Sequence, residues 1–211
     1  MDGQKPRKFR HLFLDAEGTL YVPKNAKPHW EFWADPSPDA AVEFYELDKG
    51  VLETLEALRG QMDSICLVSH NPEPILSALL EKFNIRHFFD EIMLNGDKGK
   101  QIAEYLIRHG YRRENALMVG DTPKIDLYPV RRFGVESILV DRSYNFWADA
   151  ERIKGLAELQ VWLKIAEIAE DIGSSRPYIA SLDDFVTAHE LASRASSRAG
   201  HTKSLIGVSG A

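Results

Sequence analysis

Three short apolar runs, each ending abruptly in polar or acidic residues, constrain this chain more than any other feature. HLFLDAEGT delivers Asp15 and Glu17, SICLVSHN delivers Ser69, His70 and Asn71, and ALMVGDTPKID delivers Asp121 and Asp126. Short apolar runs closed by turn residues read as buried strands, and Gly18 marks the turn after the first. Strands are predicted at 9–14, 64–69, 88–94, 116–120 and 137–140. Between them, apolar residues recur at helical spacing over 50–59, over 74–83 behind Pro74, and over 99–109. Strands alternating with helices predict an α/β fold, a Rossmann-like three-layer sandwich with a mostly parallel sheet covered on both faces.

Two segments depart from that alternation. In residues 21–46, Pro23, Pro28, Pro36 and Pro38 stand among Trp30, Phe32, Trp33, Phe44 and Tyr45. The stretch is too apolar for a linker and too rich in proline for one long helix. It predicts a small cap-like insertion after the first strand, packed on the body or presenting an aromatic rim or self-association surface. Residues 148–172 carry Ile153, Leu156, Leu159, Leu163 and Ala166 on one stripe and Trp162, Ile165, Ile168, Ala169 and Ile172 on a second. They predict an additional C-terminal helical segment that covers the core, closes over the site or forms a dimer face. A short strand at 178–179 and a helix at 182–191 would complete one domain over 9–192, leaving 193–211 as a disordered tail. The 211 residues fit this plan, exceeding an average domain of ~150 without reaching two.

Charge then narrows the function. The chain holds 32 acidic and 26 basic residues, a formal net charge of −6, which opposes the basic footprint that nucleic acid requires. Its single cysteine, Cys66, lies inside an apolar strand and excludes both a disulfide framework and a cysteine-rich metal site. No apolar run approaches the roughly 18 residues of a membrane span, and the charged N-terminal segment lacks a signal peptide's apolar stretch. The chain is read as cytoplasmic, with no membrane partner.

Ligands of open α/β sheets bind beyond the carboxyl ends of the strands. The pairs Asp15 with Glu17 and Asp121 with Asp126 therefore supply, at two strand exits, the oxygen ligands that Mg²⁺ prefers, with water and phosphate completing its shell. One aspartate after a strand is commonly a turn former or helix cap. Three polar exits together are harder to explain that way.

These segments resemble the haloacid dehalogenase-like superfamily of aspartate-nucleophile phosphohydrolases. The likeness covers 9–145 and extends plausibly to 192. It rests on DAEGTL at 15–20, Ser69 in CLVSHN, a lysine in GDKGKQI, and Gly120, Asp121 and Asp126 in GDTPKID. It implies Mg²⁺-dependent hydrolysis of a phosphomonoester through an aspartyl-phosphate on Asp15, which also binds the metal. Glu17 would serve as general acid/base and add its carbonyl to the metal. Ser69, Asn71 and a lysine would hold the phosphoryl group. Asp121 would bind the metal directly, and Asp126 would reach it through water or hold the lysine. Lys98 and Lys100 are both available; Lys98, which precedes Gly99, fits the family pattern better. Lys124 is a substrate contact or a solvated loop lysine.

Glu17 stands where the superfamily usually has Asp, and the same Asp-x-Glu-Gly-Thr pattern occurs in its enolase-phosphatase branch. That branch carries a larger cap than 21–46 can supply. A minimal cap implies an open site, suited to a phosphorylated small molecule covered by another element or to an exposed phosphate on a macromolecule. A homodimer is an open option. The alternatives are a phosphotransferase using the same intermediate, and a non-enzymatic phosphate- or metal-binding regulatory protein built like a response-regulator receiver. Binding alone does not require the full set of Asp15, Glu17, Ser69, a lysine and Asp121, which favours the enzyme.

Overall fold

A computed structural model describes residues 8–171 of the chain. The first strand, β1 (His11–Leu14), leads into the insertion, which consists of β2 (Tyr21–Pro23), α1 (His29–Trp33), α2 (Pro38–Phe44) and β3 (Tyr45–Leu47). Helices and strands then alternate through α3 (Val51–Arg59), β4 (Ser64–Ser69), α4 (Glu73–Lys82), β5 (Glu91–Leu94), α5 (Lys98–His109) and β6 (Ala116–Gly120). A wide π-helical turn at Pro123–Leu127 precedes α6 (Tyr128–Arg132), β7 (Glu136–Val140), β8 (Arg152–Ile153) and α7 (Leu159–Asp171).

Six strands pair in parallel in the order β5-β4-β1-β6-β7-β8, and β2 pairs with β3 antiparallel. The chain builds outward from β1 through β4 and β5, then returns to lay β6 on the other edge of β1. This doubly wound order places a crevice at the carboxyl ends of the strands, where the direction of building reverses. Asp15 and Asp121 follow the two strands that flank the reversal, β1 and β6.

Alternation along the strands divides the core into two layers. Leu12 and Leu14 of β1, with Ile65, Leu67, Leu117 and Val119, pack against Leu55 of α3, Leu79 of α4 and Leu163 of α7. Phe13, Cys66, Val68 and Met118 face the opposite way, toward Ile102 and Leu106 of α5 and Val130 of α6. Both faces of each central strand are thus buried, which is why these strands are continuous apolar runs with no polar alternation.

The insertion extends the first of these layers. Tyr21, Phe32, Ala41 and Tyr45 belong to the same buried cluster as α3 and α4. Ser37 caps α2 by accepting the Ala40 N–H at 3.1 Å, and Pro38 occupies its first turn. From α4, the Lys82 ammonium donates to the carbonyls of Val42 and, at 2.7 Å, Tyr45. Of the aromatic residues read as a possible rim, Phe32 is core, Trp33 is half-exposed and Trp30 is exposed.

The structure refines two boundaries and adds one pair of helical turns. The segment 148–172, read as helical throughout, is helical in its described part only from Leu156. Ile153 pairs beside Val140 as the last strand of the sheet, and Gly155 runs extended between that strand and the helix. The shared spacing of Ile153 and Leu156 thus comes from two elements burying onto one core. From there on, Leu159, Trp162, Leu163 and Ala166 bury against the α3 and α4 layer, so this helix covers the core. The strand read at 88–94 begins only at Glu91, because Arg86–Phe88 forms a 3₁₀ turn. The helical turns at 123–132 went unread because Pro123 and Pro129 obscure them. The expectations for 178–179, 182–191 and 193–211 lie outside the described residues. Among the described residues, no helix is long and apolar enough to cross a membrane.

Gly99 sets how closely α5 approaches α6. A Cβ there would lie 2.5 Å from the carbonyl oxygen of Pro129 and 2.7 Å from its carbon. Gly99→Ala is expected to destabilise the protein by about 1–3 kcal/mol through overpacking. Urea unfolding would show this as a lower midpoint at unchanged slope, and an unchanged midpoint would mean that the two helices separate without cost.

Candidate active site

The site forms where the exits of β1, β4 and β6 meet the start of α5. The Asp15 N–H donates to the Val119 carbonyl at 2.9 Å, which carries the pairing of β1 with β6 one residue past the strand. Gly18 then turns the chain with φ +78°. A Cβ at that position would stand 2.6 Å from the carboxyl carbon of Asp121 and 2.7 Å from the Tyr144 hydroxyl. Only glycine supplies both this left-handed turn and the close approach of the two loops.

Helix α5 begins at a capped end. The Asp97 side chain accepts the Lys100 N–H at 2.8 Å, which makes Lys98 the first helical residue. Lys98 is buried, and its ammonium donates to Asp126 at 2.7 Å and to Asp15. Lys100 is exposed and pairs with Glu104 at 3.7 Å. The structure therefore distinguishes the two lysines by their partners. Asp126 sits in the π-helical turn after β6, an irregularity of the kind that often marks functional sites. Its second carboxylate oxygen accepts the Thr122 N–H at 2.7 Å.

Asp121 receives a hydrogen bond from the Tyr144 hydroxyl, and Thr122 Oγ1 donates to it at 3.3 Å. The Asn145 amide braces the same loop, donating to the carbonyls of Asp121 at 2.7 Å and Val140 at 2.8 Å. At the β4 exit, Ser69 and Asn71 are both buried and interlocked. The Asn71 N–H donates to Ser69 Oγ at 3.1 Å, and that hydroxyl donates to Asn71 Oδ1 at 3.3 Å. Asn71 Nδ2 donates to the Tyr21 hydroxyl at 3.0 Å and to Glu17 at 3.4 Å.

Glu17 occupies a separate environment from the three aspartates. Its carboxylate accepts from the Tyr45 hydroxyl at 2.7 Å and from the Trp33 indole N–H at 3.3 Å, and it is bonded to His29 Nδ1. These three partners come from the insertion, and Asn71 is the fourth partner. Sequence reasoning singled out none of the three from the insertion as site residues, because His29 and Tyr45 carry no motif around them. Tyr144 and Asn145 were missed although a signal existed. They follow the exit of β7, and the strand-exit rule that found Asp15, Ser69 and Asp121 applies there too. Lys124 is exposed, as a solvated loop lysine would be.

Burial dominates the electrostatics. It pushes the Asp15 carboxyl up to about 6 despite the opposing pull of the Lys98 ammonium, and the neighbouring Asp121 adds to the rise. Asp121 and Asp126 are also raised, first by burial and then by a neighbouring negative charge, that of Asp126 on Asp121 and that of Asp15 on Asp126. For Lys98, burial favours the neutral amine, but Asp15 and Asp126 outweigh it and hold the ammonium charged. Glu17 goes the other way: burial would raise it, yet hydrogen bonds from His29 and Tyr45 bring it below its ordinary value.

One ammonium does not balance three buried carboxylates. Asp15, Asp121 and Asp126 each offer an oxygen, and these atoms all lie within 4.8 Å of one another. An all-oxygen, anionic and buried donor set is what a hard divalent cation such as Mg²⁺ fits. The Glu17 carboxylate stands outside this cluster, which leaves its backbone carbonyl as the part the resemblance assigns to a metal. The cluster opens into a cavity of about 370 Å³ that Asn71, His29 and Tyr144 also line.

Comparison with known proteins bears on the family and the fold. The family model described as haloacid dehalogenase-like hydrolase matches residues 19–140, more than half of the chain. That span holds Ser69, Lys98, Asp121 and Asp126 and opens just after Asp15 and Glu17. A phosphoglycolate phosphatase from Aliivibrio fischeri is 29% identical over 114 residues, which are 51% of this chain and 49% of that protein. The chain thus spans about half the length of the curated relative it matches. Among solved structures, the fold is similar to that of a HAD phosphatase from Thermococcus onnurineus, with a TM-score of 0.58, 16% identity and coverage of 80% of this chain and 100% of the other. It is also similar to YfnB from Bacillus subtilis, solved bound to magnesium, with a TM-score of 0.59, 14% identity and coverage of 75% and 100%.

The raised carboxylates make stability depend on pH. A carboxyl whose pKa is higher in the folded than in the unfolded chain binds more protons when folded, so its contribution falls as pH rises between about 4 and 6. Asp121→Asn removes one of the repelling charges. In chelator, it is expected to raise Tm at pH 7.5, by an amount corresponding to about 1–3 kcal/mol, and to do so much less at pH 4.5. Equal effects at both pH values would show that the cluster carries no such strain.

Proposed function

The chain belongs to the haloacid dehalogenase-like hydrolase family, and from this we propose that it hydrolyses a phosphomonoester through an aspartyl-phosphate on Asp15. The observation that carries the reading is the buried Lys98 ammonium held between Asp15 and Asp126, with Asp121 beside them. This arrangement keeps a carboxylate nucleophile at a cationic centre, where a phosphate can approach it.

Substrate binding begins with charge. The phosphoryl group lies between Lys98 and the Ser69–Asn71 corner, whose ammonium, hydroxyl and amide donors meet its spread negative charge. Asp15 and Asp121, with Asp126 next to them, would hold a magnesium ion, whose positive charge would offset repulsion between nucleophile and phosphate. The anionic phosphate ester bound beside Glu17 raises the proton affinity of that carboxylate, so it takes up a proton as substrate binds. A carboxylate oxygen of Asp15 attacks phosphorus, the bond to the ester oxygen breaks, and Glu17 gives that oxygen the proton. Glu17, again ionised, takes a proton from water as the water attacks the phosphorus of the aspartyl-phosphate and the bond to Asp15 breaks. Inorganic phosphate leaves, Glu17 gives up its proton, and both carboxylates are restored. Asp126 serves in this scheme chiefly to hold Lys98, since both of its oxygens are already bonded.

His29 and Tyr45 act as positioning residues for Glu17. The longer side chain of Glu places its carboxyl about one bond farther out than Asp would, and the insertion's donors fix it there. The Glu at this position is shared with the enolase-phosphatase first motif, although the insertion is far smaller than that branch's cap. The substrate is a phosphorylated small molecule, as the name of the phosphoglycolate phosphatase relative suggests for that protein.

With Mg²⁺ present, Asp15→Asn is expected to lower kcat by at least about a thousandfold while leaving the thermal unfolding transition cooperative. Retained turnover would exclude Asp15 as nucleophile. His29→Ala is expected to lower kcat by about 10–100-fold for an alkyl phosphate and far less for 4-nitrophenyl phosphate, whose leaving group needs little protonation. An equal loss on both substrates would make His29 merely structural.

A further inference from the structure

We propose that the ester cleaved at this site carries an uncharged aromatic ring on its leaving alcohol and no second anionic group, a reading that rests on the phosphatase mechanism above. Glu17 protonates the leaving oxygen, so that oxygen must lie against its carboxylate. The rest of the alcohol then has to occupy the space around Glu17, away from Lys98.

That space is walled by rings. His29 and Trp33 both bond the Glu17 carboxylate. The His29 ring meets the Tyr144 ring edge-on, with centroids 5.9 Å apart, and both residues line the cavity. Tyr144, which lines the cavity, keeps 44% of its surface exposed, and Trp33, bonded to the cavity's Glu17, keeps 38%, so both leave surface that the core does not use. Ile125, 38% exposed, lines the same cavity. Rings attract a further ring through offset and edge-on contacts beyond simple burial of area.

Charge selects in the same direction. Four carboxylates line the cavity, and Lys98, its one lysine, is already bonded to two of them. Among the described residues, no arginine lines it. Arg142, two residues from Tyr144, is engaged by the Gly18 carbonyl and Asp48. The two histidines are committed as well, His29 to Glu17 and His70 to the Gly96 carbonyl at 2.7 Å. A carboxylate next to the ester, as in phosphoglycolate, would lie on the Glu17 side of the cavity, away from the metal site and Lys98, where no uncommitted cation of the described residues pairs it, and an unpaired charge out of water is costly. The cavity's volume of about 370 Å³ lies at the small end of ligand pockets, enough for a phosphoryl group and one ring.

The test compares benzyl phosphate, cyclohexylmethyl phosphate and phosphoglycolate on the full chain with Mg²⁺. All three release an alkyl alcohol, and the first two match in size. The expected order of kcat/KM is benzyl above cyclohexylmethyl by about three- to tenfold, with phosphoglycolate lowest. Trp33→Leu should bring the first two together, whatever it does to the overall rate. Equal values for benzyl and cyclohexylmethyl phosphate, or phosphoglycolate as the best substrate, would overturn the inference and leave the phosphatase standing. Turnover of none of the three would overturn both.

Discussion

A lysine ammonium removed from water and held by two carboxylates is the interaction on which this structure turns. Lys98 is 2% exposed, and a charge so placed is tolerable only if paired and hydrogen-bonded. Its partners come from different parts of the chain, Asp15 from the end of β1 and Asp126 from the turn after β6. The start of α5, the central strand and the π-helical turn must therefore be placed together. Removing one partner of such a buried pair typically costs about 3–5 kcal/mol. The chemistry and the geometry of the sheet's carboxyl edge thus share the same three residues.

Most of the sheet could be read before the structure, for a simple reason. Strands buried on both faces, such as Ser64–Ser69 and Ala116–Gly120, are short continuous apolar runs, and the helices between them repeat every three to four residues. The aspartates, Ser69 and Lys98 were legible because strand exits in an open α/β sheet converge. Order along the chain therefore translated into proximity. Long-range pairing without a local pattern was not legible. Nothing around His29 announces that it reaches back to Glu17, and nothing in Ile153 distinguishes an edge-strand residue from a helical one. Tyr144 was accessible to the exit rule, but it lies four residues beyond Val140 in a loop whose shape depends on Asn145.

The departure from the usual first motif has a physical counterpart in the insertion. A Glu in place of Asp sends its carboxyl beyond the aspartate cluster, and the structure meets it with an imidazole, an indole and a phenol, all from 21–46. Phe32 and Tyr45 tie those same elements into the core beneath. The longer acid and the small insertion fit each other, since the insertion supplies three of the four groups that bond the Glu17 carboxylate.

Arg142 carries this coupling further. Its guanidinium grips the Gly18 carbonyl at 2.8 Å and the Asp48 carboxylate, residues that stand at the two roots of the insertion. Lys82 holds the Val42 and Tyr45 carbonyls. Arg142 thus ties both roots of the insertion, and Lys82 adds a further tie from α4. A cap tied in this way keeps the donors around Glu17 in register with the aspartates, so the proposed acid/base geometry is set when the chain folds and needs no closure around the substrate.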